Sequence, residues 1–390
     1  MTTPDLSRFG HILPFAPAVY EERLALLQAE LAGRGLAGVL LFDPENTFWL
    51  TGYQTIGYFT FQTVFVPLKG RPVVISRTVN RTLALAHGVF DDFIAIGDTQ
   101  DPVEVLADHL KKVLPAGARI AAELKSWYFT VEAFQRLSSL LPHEIAGFAG
   151  VLERHRMVKT EEEIARMRRA ARAAEAGLAA AIAAVAPGKT ENDVAAAMFE
   201  ANIAAGSEYL GHPPLVVAGE TTALCFAMWR RREIQKGDVV LLEAAGCIDR
   251  YHAMISRPVI AGKATARHQE VSDALQEVLE TAVASIRPGI TAGEVDETCR
   301  ESLVKKGLGE YFRHRSAYGI GIGMPPNWSE GHIYSIKPND PLVLQPNMTF
   351  HVIPTVFLDD FGMCFSESVR VTETGCESLT TFERRLFTTE

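Results

Sequence analysis

The sequence predicts an α/β (α+β) protein of two domains, and three observations carry this prediction. The chain has 390 residues, more than one ordinary hydrophobic core accommodates. Helix and strand patterns alternate up to about residue 155, where the local charge rises. Beyond that point an internal repeat appears, each copy having paired helices followed by strands. We therefore expect one domain over residues 1–155 and a second, built from two related halves, over residues 156–390.

Apolar periodicity and turn residues define the elements of the first domain. Leu24, Leu27 and Leu31 recur at helical spacing and predict the opening helix, which ends at a glycine pair. The predicted elements in chain order are a helix over Tyr20–Gly35, a strand over Gly38–Phe42, a hairpin of Thr63–Pro67 and Pro72–Ser76, a strand over Phe93–Ile96, a helix over Val103–Val113 and a strand over Arg119–Leu124.

The second domain opens with Thr160 and Glu163, which fit a capping box at the start of a helix. The repeat is then marked by Pro187-Gly-Lys-Thr190 and by Pro288-Gly-Ile-Thr291, each followed by a helix and later by His212 or His314. Two copies about a hundred residues apart are too few and too long for a solenoid. Two related halves with a site between them are the better interpretation.

Each half then changes to strands. Asp238–Cys247 and Arg250–Ala261 form one predicted hairpin, and Thr349–Leu358 and Gly362–Thr372 form another.

Composition excludes several classes of protein. Apolar residues make up 47% and charged residues 22%, which excludes disordered and fibrous chains. The net charge of −9 disfavours nucleic acid and anionic membranes as partners. The five cysteines lack a CxxC spacing, so neither a disulfide framework nor a zinc ribbon is indicated. The start, Met1-Thr-Thr-Pro-Asp, lacks a signal-peptide pattern, and the longest apolar stretch, Ala176–Ala186, is too short to span a bilayer. We expect a cytoplasmic protein.

Two carboxylates lie in unexpected places. Glu243 interrupts an apolar strand, and alternation puts Glu367 on the same face as Phe365 and Val369. Burial disfavours the charged form of a carboxyl group, so each Glu needs a partner or a raised pKa. If the two lie close together, their repulsion should raise one pKa toward neutrality. A structural ion pair is the alternative explanation for Glu243.

His252 and His351 also lie on predicted strands. Either alone is more often a core residue than a catalyst, but two of them beside candidate carboxylates favour a site. The segment Ser316–Gly323 is rich in glycine without matching a dinucleotide or P-loop pattern, which indicates close backbone approach around a pocket.

Four segments then complete the pattern: Lys236-Gly-Asp-Val-Val-Leu-Leu-Glu243, Tyr318-Gly-Ile-Gly, Gln345-Pro-Asn-Met-Thr-Phe-His351 and Glu367-Ser-Val-Arg-Val-Thr-Glu-Thr-Gly375. With the two Pro-Gly-x-Thr turns, they resemble the creatinase/prolidase/methionine aminopeptidase family over nearly the whole chain. The resemblance implies a creatinase-type N-terminal domain followed by a catalytic domain of the pita-bread fold, with internal pseudo-twofold symmetry.

Peptidases of this family bind two metal ions through Asp, Asp, His, Glu and Glu. The resemblance places Glu243, Met254, Tyr318, Ile353 and Glu367 at those positions. Because a thioether, a phenol and an alkyl group replace three ligands, the usual shell for two divalent ions is lost. We expect no metal and no other cofactor.

Within the family, the motifs resemble those of the metal-free ectoine hydrolase branch, although the segment around Phe226 and Arg230 departs from that pattern. The resemblance implies hydrolysis of a C–N bond in a small amidine. Glu243 would be base or nucleophile, and Glu367 would hold the cationic amidine. His252 and His351 would move protons, and Tyr318 would donate to developing charge. The expected substrate-binding residues are Trp49, Tyr53, Phe226, Arg230, Met254, Ser256, Arg257 and Trp328. Arg230 or Arg257 would meet a substrate carboxylate, and a solvated or structural ion pair is the alternative for either arginine.

Three alternatives remain at this point: an Xaa-Pro dipeptidase or aminopeptidase, a lyase acting on an onium osmolyte, and a binding protein without activity. The retained polar residues disfavour the last. The resemblance also implies a homodimer, in which the aromatic Trp49–Phe61 segment helps to close the partner's site.

Overall fold

A computed structural model describes residues 13–390, which divide into two compact units, one up to Arg156 and one from Met157 onward. The first five residues, on which the expectation of no signal peptide rests, lie outside the described residues. No helix of the described chain is long and apolar enough to cross a membrane.

The N-terminal unit is a six-stranded mixed sheet in the order β4-β3-β2-β1-β5-β6. Its strands are β1 (Gly38–Leu41), β2 (Thr63–Pro67), β3 (Val73–Arg77), β4 (Asp92–Ile96), β5 (Arg119–Ala122) and β6 (Glu144–Gly147). Its helices are α1 (Pro17–Gly33), α2 (Pro44–Thr51), α3 (Arg81–His87), α4 (Pro102–Val113), α5 (Val131–Leu140) and α6 (Val151–Met157), the last ending at the unit boundary. The predicted hairpin is present as β2 and β3, which pair in antiparallel register.

The C-terminal unit contains two helix pairs, and their shared turn explains the repeat in the sequence. The helices are α7 (Glu161–Ala184), α8 (Glu191–Ala204), α9 (Ala266–Ser285) and α10 (Ala292–Lys305). Thr160, Thr190 and Thr291 each close a capping box, as the sequence pattern requires. Gly188 and Gly289 have φ angles of 82° and 85°, a backbone conformation that glycine adopts without steric cost. The two helix pairs therefore turn in the same way.

A ten-stranded sheet carries these helices, with the main order β17-β16-β13-β10-β9-β8-β7. Its strands are β7 (Leu215–Ala218), β8 (Val239–Ile248), β9 (Tyr251–Ile260), β10 (Ala317–Met324), β11 (Asn327–Ser329), β12 (Ser335–Ile336), β13 (Thr349–Val352), β16 (Glu367–Val371), β17 (Cys376–Ser378) and β18 (Phe387–Thr388). Strands β8 and β9 form the first predicted hairpin, and every residue of both is buried. Polar side chains on them consequently need partners.

The second predicted hairpin, Thr349–Leu358 with Gly362–Thr372, is wrong in detail. Its two arms are broken, so β13 pairs with β16, while β14 (Thr355–Phe357) and β15 (Gly362–Cys364) form a separate two-stranded ribbon. The break on the first arm coincides with Pro354, which has no N–H to donate to a ladder.

Each half has its own hydrophobic core. Helices α7 and α8 pack on β7, β8 and β9, whereas α9 and α10 pack on β10, β13 and β16. The α/β class and the paired halves predicted from the sequence are confirmed.

Candidate active site

A cavity of about 430 Å³ lies in the C-terminal unit, and Glu243 is its acidic group. The side chain comes from the middle of β8, where Glu243 is paired with Leu215 on one side and Ser256 on the other. It is only 4% exposed, although it lines the cavity. The remaining lining is mostly apolar and includes Leu241, Ile353 and Phe357, so a group bound here is largely removed from water.

Tyr318 and His351 form a chain of hydrogen bonds behind Glu243. The Tyr318 hydroxyl donates to Oε1 of Glu243 at 3.4 Å, and it lies 2.7 Å from Nδ1 of His351. Nε2 of His351 is 2.7 Å from Oγ of Ser366. Tyr318 and His351 are direct cross-strand partners on β10 and β13, which fixes their contact. When Glu243 gains or loses a proton, the hydrogen bonds of this series can therefore rearrange in response.

Burial controls protonation here. It raises the pKa of Glu243 to about 7, an effect that the hydrogen bond from Tyr318 offsets in part. The same effect, with His314 as a second cause, lowers the pKa of His351 to about 3, so this imidazole is neutral. Burial and the charge of Glu243 raise the pKa of Tyr318 well above its ordinary value. The expected carboxylate with a pKa near neutrality is present, but desolvation rather than Glu367 causes its shift.

His252 does not fit its predicted role as a proton carrier. The backbone N–H of Gly211 donates to Nε2 at 3.0 Å, and Nδ1 lies 2.9 Å from the carbonyl oxygen of Arg250. Both ring nitrogens are thus held by backbone, and burial with the charge of Arg250 lowers the imidazole pKa. His252 is not part of the cavity lining. The predicted strand is present as β9, but the partners of the His252 imidazole could not be read from the sequence.

Glu367 does not fit its predicted role as the amidine-binding group either. Nη2 of Arg257 lies 2.5 Å from Oε1 of Glu367, and Nε of Arg384 donates to the same oxygen at 2.8 Å. The hydroxyl of Thr380 donates to Oε2. This arginine clamp, consisting of Glu367, Arg257 and Arg384, already compensates the carboxylate and occupies Arg257. A structural ion pair, the alternative stated above for Arg257, is the arrangement found, and it was not anticipated for Glu367.

The other predicted binding residues are divided between the cavity and the interior. Phe226 and Trp328 line the cavity. Met254 and Ser256 are fully buried on β9 and do not line it, whereas Arg230 is exposed and also outside the lining.

The two aromatic residues of the N-terminal unit lie in that unit's own interior. Trp49 packs against the guanidinium of Arg23 at 4.7 Å, and Tyr53 meets the ring of Phe90 edge-on at 5.6 Å. Their exposed fractions are 5% and 1%.

Several polar lining residues were not predicted: His212, Cys225, His314, Arg315, His332 and Cys364. The repeat contained a signal for two of them, because His212 and His314 follow the corresponding helices of the two halves. Each histidine follows the helix pair of its own half, and both imidazoles line the same cavity.

The residues at the family's metal positions do not fit a metal pair. Met254 is in the core, Ile353 presents an alkyl group, and the carboxylate of Glu367 is held by two guanidinium groups. Among residues 13–390, no group of three or more His, Cys, Asp or Glu side chains is arranged to hold a metal ion. Two hard divalent ions need more oxygen and nitrogen ligands than this arrangement offers.

Comparison with known proteins agrees with this architecture. Residues 165–373 match the model of metallopeptidase family M24, and residues 23–158 match that of the creatinase/prolidase N-terminal domain. Ectoine hydrolase from Halomonas elongata is 28% identical, covering 96% of this chain and 98% of its own. An Xaa-Pro dipeptidase from Pyrococcus furiosus is 27% identical, with 94% and 99% covered. The prolidase structure from Thermococcus sibiricus has a TM-score of 0.85 at 24% identity, with 95% and 99% covered, which confirms the predicted fold.

Proposed function

Because this chain is a hydrolase that belongs to metallopeptidase family M24, and its cavity carries the buried carboxyl group of Glu243 rather than a set of metal ligands, we propose that it opens the ring of ectoine without a metal. The observation that carries the proposal is Glu243, a carboxyl group in an apolar cavity with a pKa near 7. A group with that pKa exchanges protons efficiently near neutral pH.

The reaction needs one water molecule and three proton transfers. Glu243 takes a proton from water while the water oxygen bonds to the carbon of the amidinium. Glu243 then delivers this proton to a ring nitrogen, and the C–N bond breaks as the C=O bond of the amide forms. The hydroxyl proton of the adduct passes through the ionised Glu243 to the released amine, which leaves as an ammonium group. The Tyr318 hydroxyl supports each charge state of Glu243 by hydrogen bonding, and His351 is a positioning residue that acts through Tyr318.

Incubation with candidate substrates tests the proposal. Protein stripped with chelator is mixed with ectoine, hydroxyectoine, creatine, dimethylsulfoniopropionate and an Xaa-Pro dipeptide, and products are followed by mass spectrometry. We expect ectoine to gain the mass of one water. Cleavage of the dipeptide alone would identify a peptidase, and loss of a neutral fragment from the sulfonium compound would identify a lyase.

We expect activity to be independent of metal, because Met254, Tyr318 and Ile353 stand where ligands would be needed. The measurement is the rate after chelator treatment and after addition of Mn²⁺, Co²⁺ or Zn²⁺, with metal content determined on the same sample. A rate that vanishes in chelator and returns with one of these ions contradicts this expectation.

A homodimer is also part of the proposal. Ile56 and Phe59 lie in the Trp49–Phe61 segment and are 60% and 76% exposed, an unusual position for large apolar side chains. Burial against a second copy would remove them from water. We expect sedimentation analysis to give a dimer for the wild type and a shift toward monomer for Phe59→Ser, with Trp127→Ser as a control at another exposed aromatic residue. A fully active wild-type monomer would refute the dimer.

A further inference from the structure

The cavity contains a cation that has no acidic partner. Arg315 lines it and is half-buried, two residues before β10 begins. No acidic side chain of residues 13–390 forms an ion pair with it. Burial lowers the pKa of the guanidinium, and the interaction with Tyr318 raises it in part. Buried arginines elsewhere in this unit are compensated, as in the arginine clamp. An uncompensated guanidinium in a partly desolvated cavity favours an anion there.

The guanidinium of Arg315 is held in one orientation. Its Nη1 donates to the carbonyl oxygen of Gly331 and to Oγ of Ser335, both at 2.9 Å. Gly331 leaves the room for this, because a Cβ there would lie 3.1 Å from Nη1 of Arg315 and 2.9 Å from Cβ of Tyr318. The remaining guanidinium N–H groups of Arg315 donate to no protein acceptor among residues 13–390. A fixed fork with free donors matches the geometry of a carboxylate.

Tyr318 links this cation to the reacting acid. Its hydroxyl contacts Glu243, and the Arg315 guanidinium carbon lies 5.4 Å from the centre of its ring. Both charged groups are therefore within reach of one small molecule in the same cavity.

We propose that Arg315 binds a carboxylate of the substrate and thereby restricts the enzyme to carboxylate-bearing amidines and amides. This rests on the proposed function, since it assumes that the cavity around Glu243 is the site of hydrolysis. Arg257 and Arg230, the arginines expected from the sequence, are engaged in the clamp and outside the cavity lining, respectively.

The test measures binding by calorimetry, separately from turnover. The probes are ectoine, creatine and glycylproline, each compared with its amide, in which an uncharged group replaces the carboxylate. We expect the wild type to bind at least one carboxylate at least about tenfold more tightly than its amide, as for a charge-assisted hydrogen bond. Arg315→Gln should abolish this preference while leaving binding of the amide unchanged, and Arg315→Lys should retain part of it.

Arg313→Gln is the matched control, because Arg313 is an exposed arginine two residues away and outside the cavity lining. It should keep the preference of the wild type. If the wild type binds every carboxylate within about threefold of its amide, the inference is overturned without any variant. It is also overturned if Arg315→Gln, folded by circular dichroism, keeps the preference. Failure to hydrolyse ectoine, with the preference intact, would reject the proposed function alone.

Discussion

Replacement of Glu243 by Gln is expected to lower turnover by more than about a hundredfold, as for loss of a general base. The substitution keeps the size of the side chain and its ability to accept a hydrogen bond from Tyr318, but it cannot take a proton. Because the base must be ionised, the wild-type rate should rise with pH and level off above the pKa of about 7. A steady-state pH profile of wild type and variant measures both effects.

The same substitution should stabilise the protein, which distinguishes a lost base from a damaged fold. The pKa of Glu243 rises from 4.5 to about 7 on folding, so the folded state binds more protons than the unfolded state between these values. Wild-type stability therefore falls as pH rises through this window, by about 3 kcal/mol in total. Urea unfolding at pH 5 and pH 8 should show this fall in wild type only. A variant that turns over within a few-fold of wild type contradicts the assignment of Glu243.

The second large effect concerns stability alone. Arg257→Met should destabilise the C-terminal unit by about 3–5 kcal/mol. The substitution removes the fully buried guanidinium of the arginine clamp, so that the buried carboxylate of Glu367 keeps only the partly exposed Arg384 as a cationic partner. Urea unfolding measures this loss. Arg71→Met is the control, since its ion pair with Glu21 is exposed and should contribute at most about 1 kcal/mol.

A double variant separates the burial of charge from the packing of these side chains. With Arg257→Met and Glu367→Met together, no buried carboxylate is left uncompensated, and much of the lost stability should return. If Arg257→Met costs no more than Arg71→Met, the clamp is not structural, and Glu367 would again be available for the substrate.

The fold was accessible from the sequence because its elements are marked locally. The capping box at Thr160, the two Pro-Gly-x-Thr turns and the continuous apolar run of β8 are features of neighbouring residues, and the structure contains all of them. Glu243 could be singled out for the same reason, since a carboxylate within such a run is visible in one segment.

The partners of the polar residues could not be predicted in this way. Alternation assigns a side chain to a face, yet His252 and His351 differ only in what the rest of the chain brings to them: backbone in one case, Tyr318 and Ser366 in the other. Arg384, which completes the clamp on Glu367, comes from an irregular segment with no periodicity to interpret. Arg315 likewise precedes its strand. Which of its guanidinium N–H groups find an acceptor depends on residues that are distant in sequence, Gly331 and Ser335, and could not be predicted from the local pattern.

The arginine clamp has a consequence for descent within the family. Once two guanidinium groups hold Glu367, restoring Asp, His and Glu at positions 254, 318 and 353 would still leave that carboxylate unable to bridge metal ions. Removing the guanidinium groups first would leave a buried, uncompensated acid, at a cost in stability before any metal could bind. If the proposed metal-free function is right, the clamp would therefore have to be taken apart before substitutions at those positions could complete a metal site.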